Sequence, residues 1–146
     1  MFIFKLQSVL NYRKAVEEKR LLEFFEEKKR LAEETKRLEQ MRCDAEDLLD
    51  QLRKKQFRIL DSSEIALCLS YIKHVMEKEH IQEDLVTKVN DDFENKKGAL
   101  LEAVKNRKIM DTLKEKKFQS YKENIAAFER KTDDETAMLR FARKEK

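Results

Sequence analysis

Apolar side chains recur every seven residues through the first part of the chain. The row consists of Leu10, Glu17, Phe24, Leu31, Leu38, Ala45, Leu52 and Ile59, and seven of its eight members are apolar. A second row three or four residues away is interrupted by charged residues, so the apolar stripe is narrow. A narrow heptad stripe is typical of a helix that packs against one other helix rather than against a broad globular core.

The pattern predicts one reversal of chain direction, at residues 61–63. Asp61 can cap a new helix, and Glu64 occupies the third helical position, as in a capping box. We therefore predict a first helix over about residues 2–60 and a second over about residues 64–140. The expected fold is all-α, a long antiparallel two-helix coiled-coil hairpin that forms a single coiled-coil domain over residues 1–146.

The hairpin hypothesis also predicts which residues face each other. With the turn centred near residue 62, Phe24 faces Leu100 and Leu31 faces Phe93, so apolar residues meet apolar residues. Glu17, the one charged member of the heptad row, faces Arg107. A charge in a helical seam is costly unless it is paired, and such a pair can fix the register. The pairing favours an antiparallel hairpin over a parallel dimer.

Two apolar surfaces are left without a partner in this arrangement. The second helix outlasts the first, so the C-terminal segment after about residue 122 is expected to overhang. Its apolar residues are Ile125, Phe128, Met138, Leu139 and Phe141. The second surface, which we call the turn-proximal surface, comprises Ile65, Ala66, Leu67, Cys68, Leu69, Tyr71, Ile72, Val75 and Met76. Uncovered apolar patches of this kind indicate contact surfaces for other molecules.

Composition narrows the choice of fold and function. The chain of 146 residues has one Gly and no Pro, and 43% of its residues are charged. Sheet-containing folds need many more turn residues, so composition argues against them.

Charge is unevenly distributed, with 13 Lys and Arg against 8 Asp and Glu in residues 104–146, and 5 against 10 in residues 61–103. This asymmetry is compatible with docking of the basic end in an acidic recess.

The sequence holds no pattern that predicts catalysis, a metal site or a cofactor. His74 and His80 are six residues apart, off the spacing that brings ligands to one helix face. Cys43 and Cys68 are expected to be reduced packing residues.

No apolar run is long enough to span a bilayer, and the opening residues are too short for a secretory signal, so we expect a cytosolic protein without membrane insertion. Basic clusters alternate with acidic residues, which disfavours a nucleic-acid partner.

Motifs at both ends resemble those of the flagellar FliJ family. The N-terminal motif is Phe2-x-Phe4-x-Leu6-x-x-Val9-Leu10-x-x-Arg13, followed by Glu17-Glu18. The C-terminal motif begins with Leu113-Lys114-Glu115-Lys116-Lys117 and continues with Tyr121, Glu129, Lys131, Asp134-Glu135, Ala137, Arg140 and Arg143-Lys144. The length and the single long hairpin also fit, so the resemblance covers essentially the whole chain.

The resemblance implies a non-catalytic component of the flagellar type III export apparatus, with a role in flagellum biogenesis, motility and chemotaxis. The implied partners are the hexameric flagellar export ATPase, the cytoplasmic domain of the export gate, and export chaperones; the implied location is the cytoplasmic side of the inner membrane. ATPase contacts carried over by position are Leu6, Val9, Leu10, Arg13, Tyr121, Phe128, Glu135 and Arg140. Gate contacts would fall on Tyr71, Ile72 and Val75.

Two other functional classes remain open on sequence grounds. A structural coiled coil that associates with itself through the C-terminal segment would show concentration-dependent sedimentation. A nucleic-acid-binding coiled coil would show binding that falls steeply with salt. The export component is preferred because it alone accounts for both apolar surfaces and for the charge asymmetry.

Overall fold

The fold consists of two long helices that pack against each other in opposite directions. A computed structural model describes residues 1–55 and 61–145. The helices are α1, Gln7–Lys55, and α2, Ser62–Lys144, and these described residues contain no strand. The prediction of an all-α helical hairpin is therefore confirmed.

The helix bounds differ from the predicted ones at several points. α1 begins at Gln7 rather than near residue 2. Its predicted end near residue 60 lies outside the described residues. α2 begins at Ser62, so it already includes two of the three residues predicted to form the turn, and it extends to Lys144 rather than to about residue 140.

The start of α2 is set by Asp61, as the capping pattern predicted. The Asp61 carbonyl accepts a hydrogen bond from the backbone N–H of Ile65 at 3.1 Å, which closes the first helical turn. The Asp61 carboxylate accepts hydrogen bonds from the hydroxyls of Ser62 (3.5 Å) and Ser63 (2.9 Å). Glu64 adds a negative charge in the first turn, where the helix dipole favours one.

The chain divides into two compact units. The terminal unit comprises residues 1–18 and 102–146, and the central unit comprises residues 19–101. Each unit contains a segment of α1 and a segment of α2. That they form a single coiled-coil domain stays a prediction.

The seam of the central unit is built from a few well-buried side chains. Leu38 and Val89 are buried, and the rings of Phe24 and Phe93 lie 5.2 Å apart. The predicted partner of Phe24 was Leu100, whereas the ring that it contacts is that of Phe93, one heptad earlier in α2. Arg42, however, bonds both Glu79 and Glu83, on either side of the residue that the predicted register places opposite it, so the seam as a whole is not shifted by a heptad.

Polar contacts also cross the seam of the central unit. Gln82 is buried, and its Nε2 donates to the backbone carbonyl of Glu34 at 3.1 Å and to the Glu34 carboxylate at 2.7 Å. Lys96 pairs with Glu23 at 3.5 Å. The Arg20 guanidinium, which lies 3.0 Å from the same carboxylate, holds the pKa of Glu23 below its ordinary value, with a further contribution from Lys96.

Candidate interaction surfaces

The N-terminal residues form a packed segment against α2 rather than the first turns of a helix. Phe4 and Leu10 are buried in one apolar cluster with Met110, and Phe2 and Leu113 pack against its edge. The Gln7 N–H donates to the Phe4 carbonyl at 3.1 Å and thereby leads the chain into α1. The cluster fixes the position of the segment within the terminal unit.

An aromatic group extends this cluster toward the C-terminus of α2. The ring of Phe2 lies 5.2 Å from that of Phe118 and 5.5 Å from that of Tyr121. The Lys122 ammonium lies 4.4 Å from the centre of the Phe118 ring, within the range of a cation–π contact. Sequence reasoning missed Phe118. It also missed the packed N-terminal segment, for which the alternation of Phe2 and Phe4 was the available signal, because such alternation is typical of an extended, half-buried segment.

A charged network crosses between the helices beside this cluster. Arg107 bonds both Glu17, across the seam, and Asp111 at 2.6 Å, one turn further along α2. The Asp111 carboxylate and then the Glu17 carboxylate raise the pKa of Arg107 above its ordinary value. The predicted contact between Glu17 and Arg107 is therefore present. Arg13 donates to the backbone carbonyl of Asn106 at 2.9 Å and forms a second polar link between α1 and α2.

The C-terminal segment of α2 leaves its apolar side chains exposed. Ala126 is the last half-buried residue, and every described side chain after it is exposed. The large apolar residues with the greatest exposure are Phe128, Met138, Leu139 and Phe141, which are 72%, 74%, 63% and 65% exposed. The predicted overhang is thus present, although it begins about one turn later than residue 122.

The eight residues assigned to the ATPase by resemblance all lie in the terminal unit but differ in accessibility. Leu6, Val9, Phe128, Glu135 and Arg140 are exposed. Tyr121 is half-buried, with its ring against Phe2. Arg13 is half-buried and already bonded, and Leu10 is fully buried. Leu10 therefore belongs to the packing that holds the unit together, because a side chain without accessible surface cannot contact a partner directly.

The three residues assigned to the export gate lie within about one turn of α2 in the central unit. Tyr71 is exposed, whereas Ile72 and Val75 are half-buried. Around them the turn-proximal surface is largely open, as predicted. Its most exposed large side chains are Leu67, Met76 and Leu69, at 73%, 63% and 61%.

Sequence reasoning placed Leu21 in the interrupted second row of the seam and missed its apolar neighbours Leu22 and Phe25. Leu21, Leu22 and Phe25 are 40%, 66% and 53% exposed, although Phe25 is adjacent to the seam residue Phe24. The available signal was that Leu22 and Phe25 are large apolar residues that belong to neither heptad row. Phe24 alone fills this position of the seam, so packing between α1 and α2 does not explain why its neighbours are apolar.

The described part of the chain contains neither a candidate membrane-spanning helix nor a candidate metal site. Neither α1 nor α2 contains a stretch of sufficient length and apolar character to cross a membrane. Within residues 1–55 and 61–145, no three His, Cys, Asp or Glu side chains are grouped so that they could hold a metal ion.

Comparison with known proteins gives one match. A family model described as "Flagellar FliJ protein" matches residues 1–146, the whole chain. Searches of curated proteins and of solved structures find no match.

Proposed function

The chain belongs to the flagellar FliJ protein family, whose members are flagellar export components, and on that basis we propose that its terminal unit inserts as a stalk into the hexameric flagellar export ATPase. In this role the protein has no catalytic activity of its own. It promotes assembly of the ATPase ring and raises the rate of ATP hydrolysis.

The exposed C-terminal segment of α2 is the observation that carries the proposal. Every described side chain after Ala126 is exposed, so the helix presents Phe128 and three further large apolar side chains to solvent. Apolar surface is removed from water at a gain of about 25 cal/mol per Å², so such a segment favours a partner that encloses it. The central pore of a ring encloses a helix on all sides.

Arg140 and Glu135 supply the polar part of the proposed contact. Both side chains are exposed and lie on the same segment as Phe128. An exposed charge steers association and fixes orientation more than it adds affinity. In this proposal Phe128 anchors the segment, while Glu135 and Arg140 orient it within the pore.

We further propose that the turn-proximal surface contacts the cytoplasmic domain of the export gate through Tyr71, Ile72 and Val75. This contact would place the protein at the cytoplasmic side of the inner membrane without membrane insertion. Export chaperones are the third proposed partner class. The support for these contacts is the family membership and the open apolar surface around Tyr71.

The test is to add the purified chain to its cognate export ATPase and measure hydrolysis rate and oligomer fraction together. Both should rise with the wild-type chain. The Phe128→Ala and Arg140→Glu variants should weaken the stimulation, because each alters an exposed side chain of the proposed contact. Ile81→Ala and Lys88→Glu are matched controls, since both residues are exposed and lie in the central unit.

The outcome that overturns the proposal is equally direct. A correctly helical wild-type chain that changes neither the hydrolysis rate nor the oligomer fraction would exclude the stalk role. Equal effects of Phe128→Ala and Ile81→Ala would exclude the C-terminal segment as the contact surface. Circular dichroism of every variant establishes that the helices are retained.

A further inference from the structure

The terminal unit contains an open groove beside its N-terminal segment, which we call the terminal groove. Residues 1–6 form one wall, and the other wall is a stripe of α2 that includes Leu113, Lys117, Tyr121 and Asn124. Because these four residues are spaced by three or four positions, they lie along one face of the helix. The groove has a volume of about 720 Å³, which is within the range usual for ligand sites.

The length of the groove determines the size of its occupant. The stripe from Leu113 to Asn124 rises about 16 Å along α2, at 1.5 Å per residue. An extended chain advances about 3.3 Å per residue, so the stripe accommodates about five residues of an extended peptide.

The wall formed by the N-terminal segment has unpaired backbone groups. Met1 and Ile3 are exposed, whereas Phe2 is half-buried and Phe4 is buried, and this alternation is the pattern of an extended chain. Within the described structure, the Phe4 carbonyl is the one backbone group of residues 1–4 that has a backbone partner, the N–H of Gln7. An extended segment with unpaired N–H and C=O groups is a template on which a second extended chain can pair.

Apolar side chains make up most of the groove lining. Ile3 and Leu6 lie on the N-terminal wall, and Leu113 and Tyr121 lie on the helical wall. The Tyr121 ring is 5.5 Å from the ring of Phe2, and a side chain that is held by such packing loses little conformational freedom when a partner covers it. The lining therefore suits apolar side chains of an extended peptide.

The charged residues that line the groove are both positive. Lys5 and Lys117 lie on its walls, and no Asp or Glu does. Among the described residues of the terminal unit, the ion pairs are those of Arg107 with Glu17 and Asp111, so neither lysine is paired. The surrounding sequence has the same sign, since residues 1–6 and 113–124 hold five Lys against two Glu.

The two glutamates of this stretch lie on other faces of α2. Glu115 precedes Lys117 by two residues, which places it about 200° around the helix. Glu123 accepts a hydrogen bond at 3.5 Å from the side-chain amide of Gln119. Gln119 is itself two residues from both Lys117 and Tyr121, so this bonded pair also lies away from the groove. The groove consequently presents positive charge to an occupant.

We propose that the terminal groove binds an extended peptide segment of another protein that carries apolar residues together with Asp or Glu. The segment pairs with the backbone of residues 1–4, its apolar side chains contact the groove lining, and its carboxylates pair with Lys5 and Lys117. Phe128, Glu135 and Arg140, which carry the proposed stalk contact, do not line the groove. The inference therefore goes beyond that contact and does not depend on it.

The experiment uses the full chain and three fluorescently labelled peptides of about seven residues, which is the span of the stripe with one more residue at each end. The first peptide alternates Leu with Glu, the second has Lys in place of Glu, and the third is the Leu and Glu peptide with N-methylated backbone nitrogens. Binding is measured by fluorescence anisotropy at low and high salt. The first peptide should bind, more weakly at high salt, and should shift the amide resonances of residues 1–6 and 113–124. The Kd of each of the other two should be at least about tenfold higher.

Two substitutions with matched controls assign the binding to the groove. Lys117→Glu should raise the Kd of the first peptide at least about tenfold. Lys116→Glu makes the same change of charge at an exposed residue about 100° around the helix, and it should have a much smaller effect. Ile3→Ala should raise the Kd about fourfold, the equivalent of one buried methylene. Ile109→Ala is its control, because Ile109 is 53% exposed in the same unit and does not line the groove.

Four results would overturn the inference. They are the absence of binding by the first peptide, equal binding of the Lys peptide or of the N-methylated peptide, and equal effects of Lys116→Glu and Lys117→Glu. The fourth is sedimentation showing that the free chain associates with itself and that Ile3→Ala abolishes this, which would make a second copy the occupant. The peptide assay contains no ATPase, and the stalk assay depends on Phe128 and Arg140, so failure of one proposal is distinguishable from failure of the other.

Discussion

Replacement of Leu10 by Ala tests whether the terminal unit is held by its small apolar cluster. Leu10 is fully buried against Phe4 and Met110. A Leu→Ala change at a buried site costs about 2–5 kcal/mol, which combines the lost burial with the cavity that remains. The lower part of this range, about 2–3 kcal/mol, is expected because the unbranched Met110 side chain can shift into the space. For a chain of this size that corresponds to a fall in Tm of roughly 5–10 °C.

The assay is thermal and urea unfolding followed by circular dichroism, with tyrosine emission as a second probe. The chain has no Trp, and Tyr121 is half-buried while Tyr12 and Tyr71 are exposed, so emission changes report mainly on the terminal unit. Leu139→Ala is the matched control. It removes the same atoms from a residue that is 63% exposed, and it should change stability by less than about 0.5 kcal/mol. Equal effects of the two substitutions would refute the burial of Leu10.

Three further predictions concern the central unit. Gln82→Ala should lower the free energy of unfolding by about 2–3 kcal/mol in urea titrations, because it removes a buried hydrogen bond to a carboxylate, and an effect below about 0.5 kcal/mol would contradict the bond. Because the pKa of Glu23 is lowered in the folded chain, its ionised carboxylate stabilises the fold above the ordinary pKa of Glu, and this contribution is lost as pH falls through the lower folded-state pKa. Glu23→Gln should therefore make Tm fall less steeply at acid pH. An unchanged curve of Tm against pH would exclude this linkage. Gly98→Ala should raise stability by about 0.5–1 kcal/mol, because nothing lies within 4 Å of the added Cβ inside α2, and a loss of stability would show that the site is crowded.

Sequence pattern was sufficient where one local rule governs the structure. The heptad row predicted two long helices, Asp61 predicted the start of α2, and the charged residue within the row predicted the pair between Glu17 and Arg107. Each of these features depends on residues that are close in sequence or on a charge that needs a partner. The unpartnered C-terminal segment followed from the unequal lengths of the two helices.

Sequence pattern was insufficient where two arrangements satisfy the same rule. The heptad row placed Leu100 opposite Phe24, and the contact of Phe24 with Phe93 depends on the packing of the two rings, which the heptad pattern does not specify. The N-terminal residues fit both a helical row and a strand-like alternation, and burial of Phe4 in the terminal cluster favours the second. Leu10 was placed among the ATPase contacts by the family resemblance, which carries no information on burial, and it is fully buried.

The exposed C-terminal segment of α2 has a consequence for local opening of the backbone. Every described side chain after Ala126 is exposed, and the Thr132 and Thr136 hydroxyls donate to carbonyls one turn earlier in the same helix. Tertiary packing supplies most of the stability of a protein helix, so this segment unwinds independently of the rest. Its amides should exchange with solvent orders of magnitude faster than those around Met110, and trypsin should cleave first after Arg130, Lys131 or Arg140. A partner that encloses the segment would slow both amide exchange and tryptic cleavage. The exchange rates would then show which residues of the segment the partner covers.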